Sequence, residues 1–144
     1  MNESRQIEGR CLCGAVRVSA LASETPLLRA CHCDMCRQHT SGMFISIETE
    51  QDGMKIIGPA RSFRSSDWAE RGFCDTCGST LWYGTLHDGA RHLAAGLFDR
   101  AGDGRMTLEF FADKCPEGYR LAGHHDRLST EETIAMFADA GEAS

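Results

Sequence analysis

Seven of the eight cysteines in this 144-residue chain fall into three short clusters, at residues 11–13, 31–36 and 74–77. A disulfide inside such a cluster would close only a small loop, so it would restrict the unfolded chain little. Metal ligands, by contrast, are expected to cluster, because one turn then supplies several of them. The first residues also lack the apolar segment of a secretory signal. We therefore predict metal-binding thiolates and a cytoplasmic location.

The number of clustered thiolates predicts two unequal zinc sites, with two ions per chain. Zinc takes four ligands in a structural site, but three protein ligands and an open position in a catalytic one. Cys31, Cys33 and Cys36 lie within six residues, so one turn can wrap all three sulfurs around one ion. The outer clusters would then meet across about sixty residues of chain. They supply the ligands of a structural site: Cys11, Cys13, Cys74 and Cys77.

The fourth position of the three-cysteine site has two interpretations. An open position would let the metal bind and polarise a substrate atom, whereas a protein ligand would make this site structural as well. The candidate protein ligands are Cys115, His39, His87 and His92. His32 lies between two ligands, so we expect it to point away from the metal and to be structural.

Charge and hydropathy exclude two classes of partner. The formal net charge of −6 argues against nucleic acid, because phosphate binding requires a basic surface. No stretch approaches the roughly 20 apolar residues that span a bilayer, so no membrane partner is expected. Arg37 and Arg71 adjoin cysteine clusters and are candidates to offset the thiolate charge, or else solvated surface residues. The pair His124 and His125 is expected at the surface, and the sequence does not indicate the oligomeric state.

Most of the chain alternates short segments rich in β-forming residues with turn signals, which predicts a mainly β fold of antiparallel strands. A short helical turn is expected near Cys36. Residues 129–132 read Ser-Thr-Glu-Glu, a capping box that predicts a C-terminal helix at about residues 130–140. Ile134, Phe137 and Ala138 are expected to face the sheet, and the helix is expected to end at Gly141. We predict one domain over residues 1–144.

Four motifs resemble those of a known family. They are GRCLCGAV at residues 9–16, CHCDMCR at 31–37, FCDTCGS at 73–79 and AGLFD at 95–99. Their order and spacing resemble the glutathione-dependent formaldehyde-activating enzyme family, which includes centromere protein V, over about residues 7–119. This resemblance implies a zinc-containing β-tent, with one structural zinc on the outer clusters and a second, catalytic zinc on the middle one.

The resemblance also implies carbon–sulfur lyase activity on thiol–aldehyde adducts such as S-hydroxymethylglutathione, a reaction of formaldehyde detoxification. The partner would be a small thiol such as glutathione, and Cys31, Cys33, Cys36 and Arg37 would form the catalytic site. The alternatives are a non-catalytic binding module with both zincs structural and, ranked last, a redox sensor. Glu109 and Gly118 stand where family members commonly carry histidine and tryptophan, which leaves the substrate unassigned.

Overall fold

A computed structural model describes residues 3–139, which divide into two compact units. The first unit contains residues 3–28 and 46–105, and the second contains residues 29–45 and 106–139. The single domain predicted over residues 1–144 extends beyond the described residues and stays a prediction.

The mainly β prediction is confirmed. The described strands belong to two sheets, with a short helix after the third strand and another near the C-terminus. The strands are β1 Ser4–Arg10, β2 Arg17–Ser23, β3 Leu27–Cys31, β4 Phe44–Ile47, β5 Lys55–Ile57, β6 Ala60–Arg64, β7 Ala69–Cys74, β8 Thr80–Thr85, β9 Arg91–Ala94, β10 Arg105–Phe110 and β11 Asp126–Arg127. The α-helices are α1 Asp34–Thr40 and α2 Thr130–Asp139. Neither is long and apolar enough to cross a membrane.

The first unit contains an antiparallel sheet in the order β1-β2-β5. Every second residue of β2 is buried, namely Val18, Ala20 and Ala22, because side chains alternate between the two faces of a strand. The β1–β2 pair is in register from Ser4 opposite Ser23 to Arg10 opposite Arg17. Its connecting loop therefore starts with Cys11 and presents the first cysteine cluster.

The first unit also contains the neighbouring strands β9-β8-β7-β6, and residues Ser46 and Ile47 of β4, which pair with β9. Strands β7 and β8 form a hairpin whose turn begins at Cys74 and carries the third cysteine cluster. Buried apolar residues of these strands, including Leu81 and Leu93 at 0% exposure, form part of the core. Two hairpin loops of this unit thus carry the four cysteines that the sequence assigned to one site.

In the second unit, β10 and β11 pair in parallel, with Leu108 opposite Asp126 and Glu109 opposite Arg127. The expectation of antiparallel sheets did not include this pair. Parallel neighbours need a long connection, and residues 111–125 supply one. The backbone N–H of His32 donates to the carbonyl of Phe110 at 3.0 Å, so the middle cysteine cluster is also held against β10.

The capping box of α2 forms as predicted. The Ser129 hydroxyl accepts a hydrogen bond from the Glu132 N–H at 3.1 Å, and the Glu132 carboxylate accepts one from the Ser129 N–H at 2.9 Å. These reciprocal bonds satisfy two backbone donors that a helix start would otherwise leave unpaired. The predicted stop at Gly141 lies outside the described residues.

The buried face of α2 differs from the predicted one. Thr133 is fully buried, whereas Ile134 is 47% exposed and Ala138 is exposed. Phe137, a residue of the predicted face, packs against β10: its ring centroid lies 5.3 Å from that of Phe110. The Thr133 hydroxyl donates to the Ser129 carbonyl and accepts from the Phe111 N–H. These hydrogen bonds satisfy the buried hydroxyl. The helix can therefore bury Thr133, although the hydrophobic periodicity of the sequence predicted Ile134 on the buried face.

Candidate functional site

The first and third cysteine clusters come together in the first unit. The sulfurs of Cys11, Cys13, Cys74 and Cys77 all lie within 4.8 Å of one another. Measured separations are 3.6 Å for Cys11–Cys13, 3.7 Å for Cys11–Cys74 and 3.9 Å for Cys13–Cys74. A tetrahedron of sulfurs at about 2.3 Å from a zinc ion has edges of about 3.8 Å. This four-cysteine cluster therefore fits a tetrahedral metal ion such as zinc.

Backbone and hydroxyl groups donate hydrogen bonds to these sulfurs. The Val16 N–H lies 3.2 Å from the Cys11 sulfur and the Cys77 N–H lies 3.4 Å from the Cys74 sulfur. The Ser79 hydroxyl lies 3.2 Å from the Cys77 sulfur and accepts from the Leu12 N–H at 3.0 Å, so it joins both loops. Donors aimed at a sulfur favour its thiolate form, the form that binds metal.

A glycine follows each of these two clusters, as the loop geometry requires. Gly14 has φ +81° and Gly78 has φ +78°, in the left-handed region that glycine enters without strain. The Gly14 N–H donates to the Cys11 carbonyl, and the Gly78 N–H donates to the Cys74 carbonyl. Each turn therefore closes tightly around its first cysteine.

The thiols of Cys77 and Cys13 do not ionise equally. Hydrogen bonds from the Ser79 hydroxyl and backbone lower the pKa of Cys77 to about 5. The Ala15 N–H lowers the pKa of Cys13, but burial and the neighbouring thiols outweigh this effect and raise it to about 11. Crowded sulfurs cannot all carry negative charge without a nearby cation. A divalent ion would supply that charge, which is a second reason why the donor set fits a metal.

The middle cluster forms a three-cysteine group in the second unit. Cys31 ends β3, Cys33 caps α1, and Cys36 lies in the first turn of α1 with 3% exposure. The three sulfurs lie within 4.8 Å of one another, and the Cys36 N–H donates to the Cys33 sulfur at 3.4 Å. Hydrogen bonds with Cys33 and Cys36, together with burial, raise the pKa of Cys31 well above its ordinary range. This group could also hold a metal ion.

No fourth protein donor joins this group among residues 3–139: no other ligand atom of a His, Cys, Asp or Glu lies within 4.8 Å of all three sulfurs. The alternative ligands named from the sequence, including Cys115, are therefore outside the cluster. The Cys115 sulfur instead lies 3.5 Å from the Pro116 carbonyl and 3.6 Å from the Tyr119 carbonyl. All eight cysteines are thiols rather than disulfides.

A buried carboxylate binds His32, the residue between Cys31 and Cys33 in the chain. Glu109 is 2% exposed, and His32, at 4% exposure, donates from Nε2 to Glu109 Oε1 at 2.6 Å. His125 Nε2 and Arg127 Nε lie 2.5 Å and 3.0 Å from Glu109 Oε2. Burial would raise the pKa of Glu109, but the hydrogen bonds from His125 and His32 outweigh burial and lower it.

This buried group both supports and corrects the sequence predictions. His32 binds Glu109, in keeping with a structural role. The surface placement of His125 is wrong, since its side chain is 3% exposed, whereas His124 is exposed. The sequence did contain a signal of this buried group. Glu109 lies within the apolar pattern of β10, and an acidic residue in such a position indicates a buried and paired carboxylate.

The two candidate arginines have different surroundings. The side chain of Arg37 is 49% exposed and lies 3.7 Å from Asp34, which also pairs with Lys114 at 3.4 Å. Arg71 is 2% exposed, and its guanidinium carbon lies 4.8 Å from the centre of the Tyr83 ring. The solvated-surface interpretation is therefore wrong for Arg71, whose cation lies over an aromatic face.

Comparison with known proteins agrees with these features. A family model described as glutathione-dependent formaldehyde-activating enzyme matches residues 6–114. An uncharacterized lyase of Schizosaccharomyces pombe is 29% identical over 131 residues, covering 90% of this chain and 95% of that protein. A Halomonas elongata protein, provisionally named a glutathione-dependent formaldehyde-activating enzyme, is 29% identical over 85 residues, which cover 53% of this chain and 54% of that protein.

The fold is also found in a solved structure. A crystal structure of a Rhodobacter sphaeroides protein aligns with a TM-score of 0.53 at 16% identity, covering 85% of this chain and all of that chain. At this identity the likeness concerns the fold alone. The family-model match covers most of the chain, including all seven clustered cysteines. The chain therefore belongs to the glutathione-dependent formaldehyde-activating enzyme family.

Proposed function

We propose that this protein is a zinc-dependent carbon–sulfur lyase that acts on adducts of a small thiol with an aldehyde, such as S-hydroxymethylglutathione. The observation that carries the proposal is the three-cysteine cluster, which no further His, Cys, Asp or Glu joins among the described residues. A site with three protein ligands is the arrangement that zinc enzymes use when a substrate atom binds the metal. The names of the two relatives, a lyase and a formaldehyde-activating enzyme, support the reaction class.

The proposed reaction is the reversible breakdown of a hemithioacetal into a thiol and formaldehyde. The carbon–sulfur bond breaks, its electron pair stays on sulfur, and the hydroxyl proton is released as the carbonyl forms. The sulfur then takes up a proton, so no oxidant or reductant is needed. A zinc ion held by Cys31, Cys33 and Cys36 would supply Lewis-acid stabilisation of the leaving sulfur.

The residues around the three-cysteine cluster differ in exposure, and one of them carries a positive charge. Cys36 is buried, whereas Cys31 and Cys33 are half-buried, so the cluster is partly exposed at these two residues. Arg37 directly follows the last ligand, and its 3.7 Å ion pair with Asp34 is loose and half-exposed. Such pairs are weak, so a substrate carboxylate can compete for the guanidinium. We assign Arg37 the role of binding a carboxylate of the thiol.

Exchange spectroscopy tests the proposal. The zinc-loaded protein is added to an equilibrated mixture of glutathione and ¹³C-formaldehyde, and the exchange rate between adduct and free formaldehyde is measured by NMR. Wild type should accelerate exchange above the uncatalysed rate, and Cys36→Ser should not, because it lacks one ligand. Cys115→Ser is the matched control and should keep wild-type exchange.

Replacing glutathione with other small thiols in the same assay ranks the substrates. Arg37→Ala should weaken exchange more for glutathione, which carries carboxylates, than for an uncharged thiol. Absence of accelerated exchange with every thiol, in a protein holding two zinc ions, would exclude the lyase and favour a binding module with two structural metals.

A further inference from the structure

Glu109 connects the three-cysteine cluster to a segment that follows the family-matched residues. One carboxylate oxygen binds His32, which lies between the ligands Cys31 and Cys33 in the chain. The other oxygen binds His125 and Arg127, both beyond the match that ends at residue 114. All these residues belong to the second unit.

His32, between Cys31 and Cys33, forms hydrogen bonds through both its backbone and its ring. The His32 backbone N–H donates to the Phe110 carbonyl at 3.0 Å, and the His32 ring binds Glu109 at 2.6 Å. Backbone and ring are thus both attached to consecutive residues of β10. Because His32 is flanked by two sulfur-bearing residues, a change in its backbone conformation would move both sulfurs.

Hydrogen bonds from the segment around residues 127 and 128 also hold Glu109 in place. The Leu128 N–H donates to the Glu109 carbonyl at 2.9 Å, and the Ala112 N–H donates to the Leu128 carbonyl at 2.7 Å. Arg127 also donates from Nη2 to the Leu121 carbonyl at 2.8 Å, which ties the preceding loop to the same point. The side chains of Glu109 and His125 are each 3% exposed, so the bond between these two side chains is shielded from water.

We propose that Glu109 is a positioning residue: together with His125 and Arg127, it holds His32 and so fixes the geometry of the metal site formed by Cys31, Cys33 and Cys36. This rests on the metal binding that the proposed function assigns to the cluster, but not on its substrate. Outer partners that orient metal ligands typically contribute 10- to 100-fold in metal affinity. Glu109 acts through His32 and does not itself reach the metal.

The test uses the full chain loaded with ¹¹³Cd, which reports each site as a separate NMR resonance. Glu109→Gln keeps the size of the side chain but removes its charge and one of its two acceptor oxygens. We expect the resonance of the three-cysteine site to shift or broaden and its metal affinity to fall by about 10-fold or more. The four-cysteine resonance should stay at its wild-type position.

Glu70→Gln is the matched control, because Glu70 accepts a hydrogen bond from Trp82 Nε1 at 3.2 Å within the first unit. It should leave the three-cysteine resonance unchanged. If Glu109→Gln does not fold, Arg127→Ala replaces it, since that side chain is 38% exposed and its loss leaves the two histidine bonds in place. We expect a smaller shift in the same resonance.

Two outcomes would overturn the inference. One is a three-cysteine resonance and affinity that match wild type in the folded variant. The other is an equal loss at both metal sites, which would mean that Glu109 supports folding generally. The lyase proposal fails separately: if wild type shows no thiol–aldehyde exchange while Glu109→Gln shifts only one ¹¹³Cd resonance, the positioning role stands and the proposed reaction does not.

Discussion

The two cysteine clusters differ in how far apart in the chain their ligands lie. The four-cysteine cluster joins two hairpin loops of the first unit, with Cys11 and Cys74 at 2% and 0% exposure. The three-cysteine cluster comes from six consecutive residues of the second unit, and of its members only Cys36 is fully buried. A metal that closes a long loop restricts the unfolded chain more than a metal held by one turn. The comparison therefore separates a site suited to stabilising the fold from a site suited to chemistry.

The clusters also differ in charge. One Zn²⁺ leaves four thiolates with a net charge of −2 and three thiolates with −1. The four-cysteine cluster receives donors from Val16, Cys77 and Ser79, which offset part of the larger charge. Differences in stability, acid sensitivity and ligand number follow from this contrast, and each can be measured.

The largest expected effect is on stability. Cys74→Ser should remove one metal ion and leave the protein largely unfolded, because structural zinc contributes about 10–16 kcal/mol of apparent binding free energy in small zinc domains. Cys36→Ser should also remove one metal ion but lower the melting temperature much less. Metal analysis and thermal unfolding by circular dichroism measure both. Equal melting temperatures for the two variants would abolish the distinction between the sites.

Acid should release metal from the three-cysteine site first. A thiol with a raised pKa takes up its proton at higher pH, and a thiol with a lowered pKa keeps its thiolate to lower pH. The pKa of Cys31 is raised further than that of Cys13, which is raised to about 11, and the pKa of Cys77 is lowered to about 5, so proton competition begins earlier at Cys31. Titration of zinc release with a chelating dye should show two steps, and Cys36→Ser should lack the step at higher pH. If Cys36→Ser instead lacked the step at lower pH, the assignment of the earlier release to the three-cysteine site would be contradicted.

A smaller effect is expected from the hydroxyl that joins the two hairpin loops. Ser79→Ala removes a hydrogen bond to Cys77 and an acceptor for the Leu12 N–H, so the metal affinity of the four-cysteine site should fall by about 10-fold. Competition with a chelator measures the change. Ser66→Ala, which removes a hydroxyl that accepts from the Trp68 N–H, is the control and should retain wild-type affinity. A comparable loss in both variants would show that Ser79 has no particular role.

The smallest effect is expected at the eighth cysteine. Cys115→Ser should leave both metal equivalents in place, because the Cys115 sulfur contacts two backbone carbonyls and lies outside the three-cysteine cluster. Metal analysis after gel filtration checks this. Loss of one equivalent would mean that the second site is closed by Cys115, and it would remove the observation on which the lyase proposal rests.

Much of the fold could be predicted from local patterns. Short alternating segments indicated a mainly β chain, and Ser129 with Glu132 indicated the start of α2, because strand alternation and helix capping depend on residues within a few positions. The parallel pairing of β10 and β11 was missed, since it brings together residues on either side of a long connection.

The sequence by itself determined the division of the seven clustered cysteines. Three ligands within six residues can reach one ion by a local turn, and counting then assigned the other four to a second site. Tertiary structure decided which polar groups are buried: Thr133 instead of Ile134 on α2, and Glu109 bound to both His32 and His125. Ligand spacing is a property of the covalent chain. Burial depends on which distant segments pack together, and Glu109 lies 77 positions after His32 in the chain, so no local signal indicates that contact.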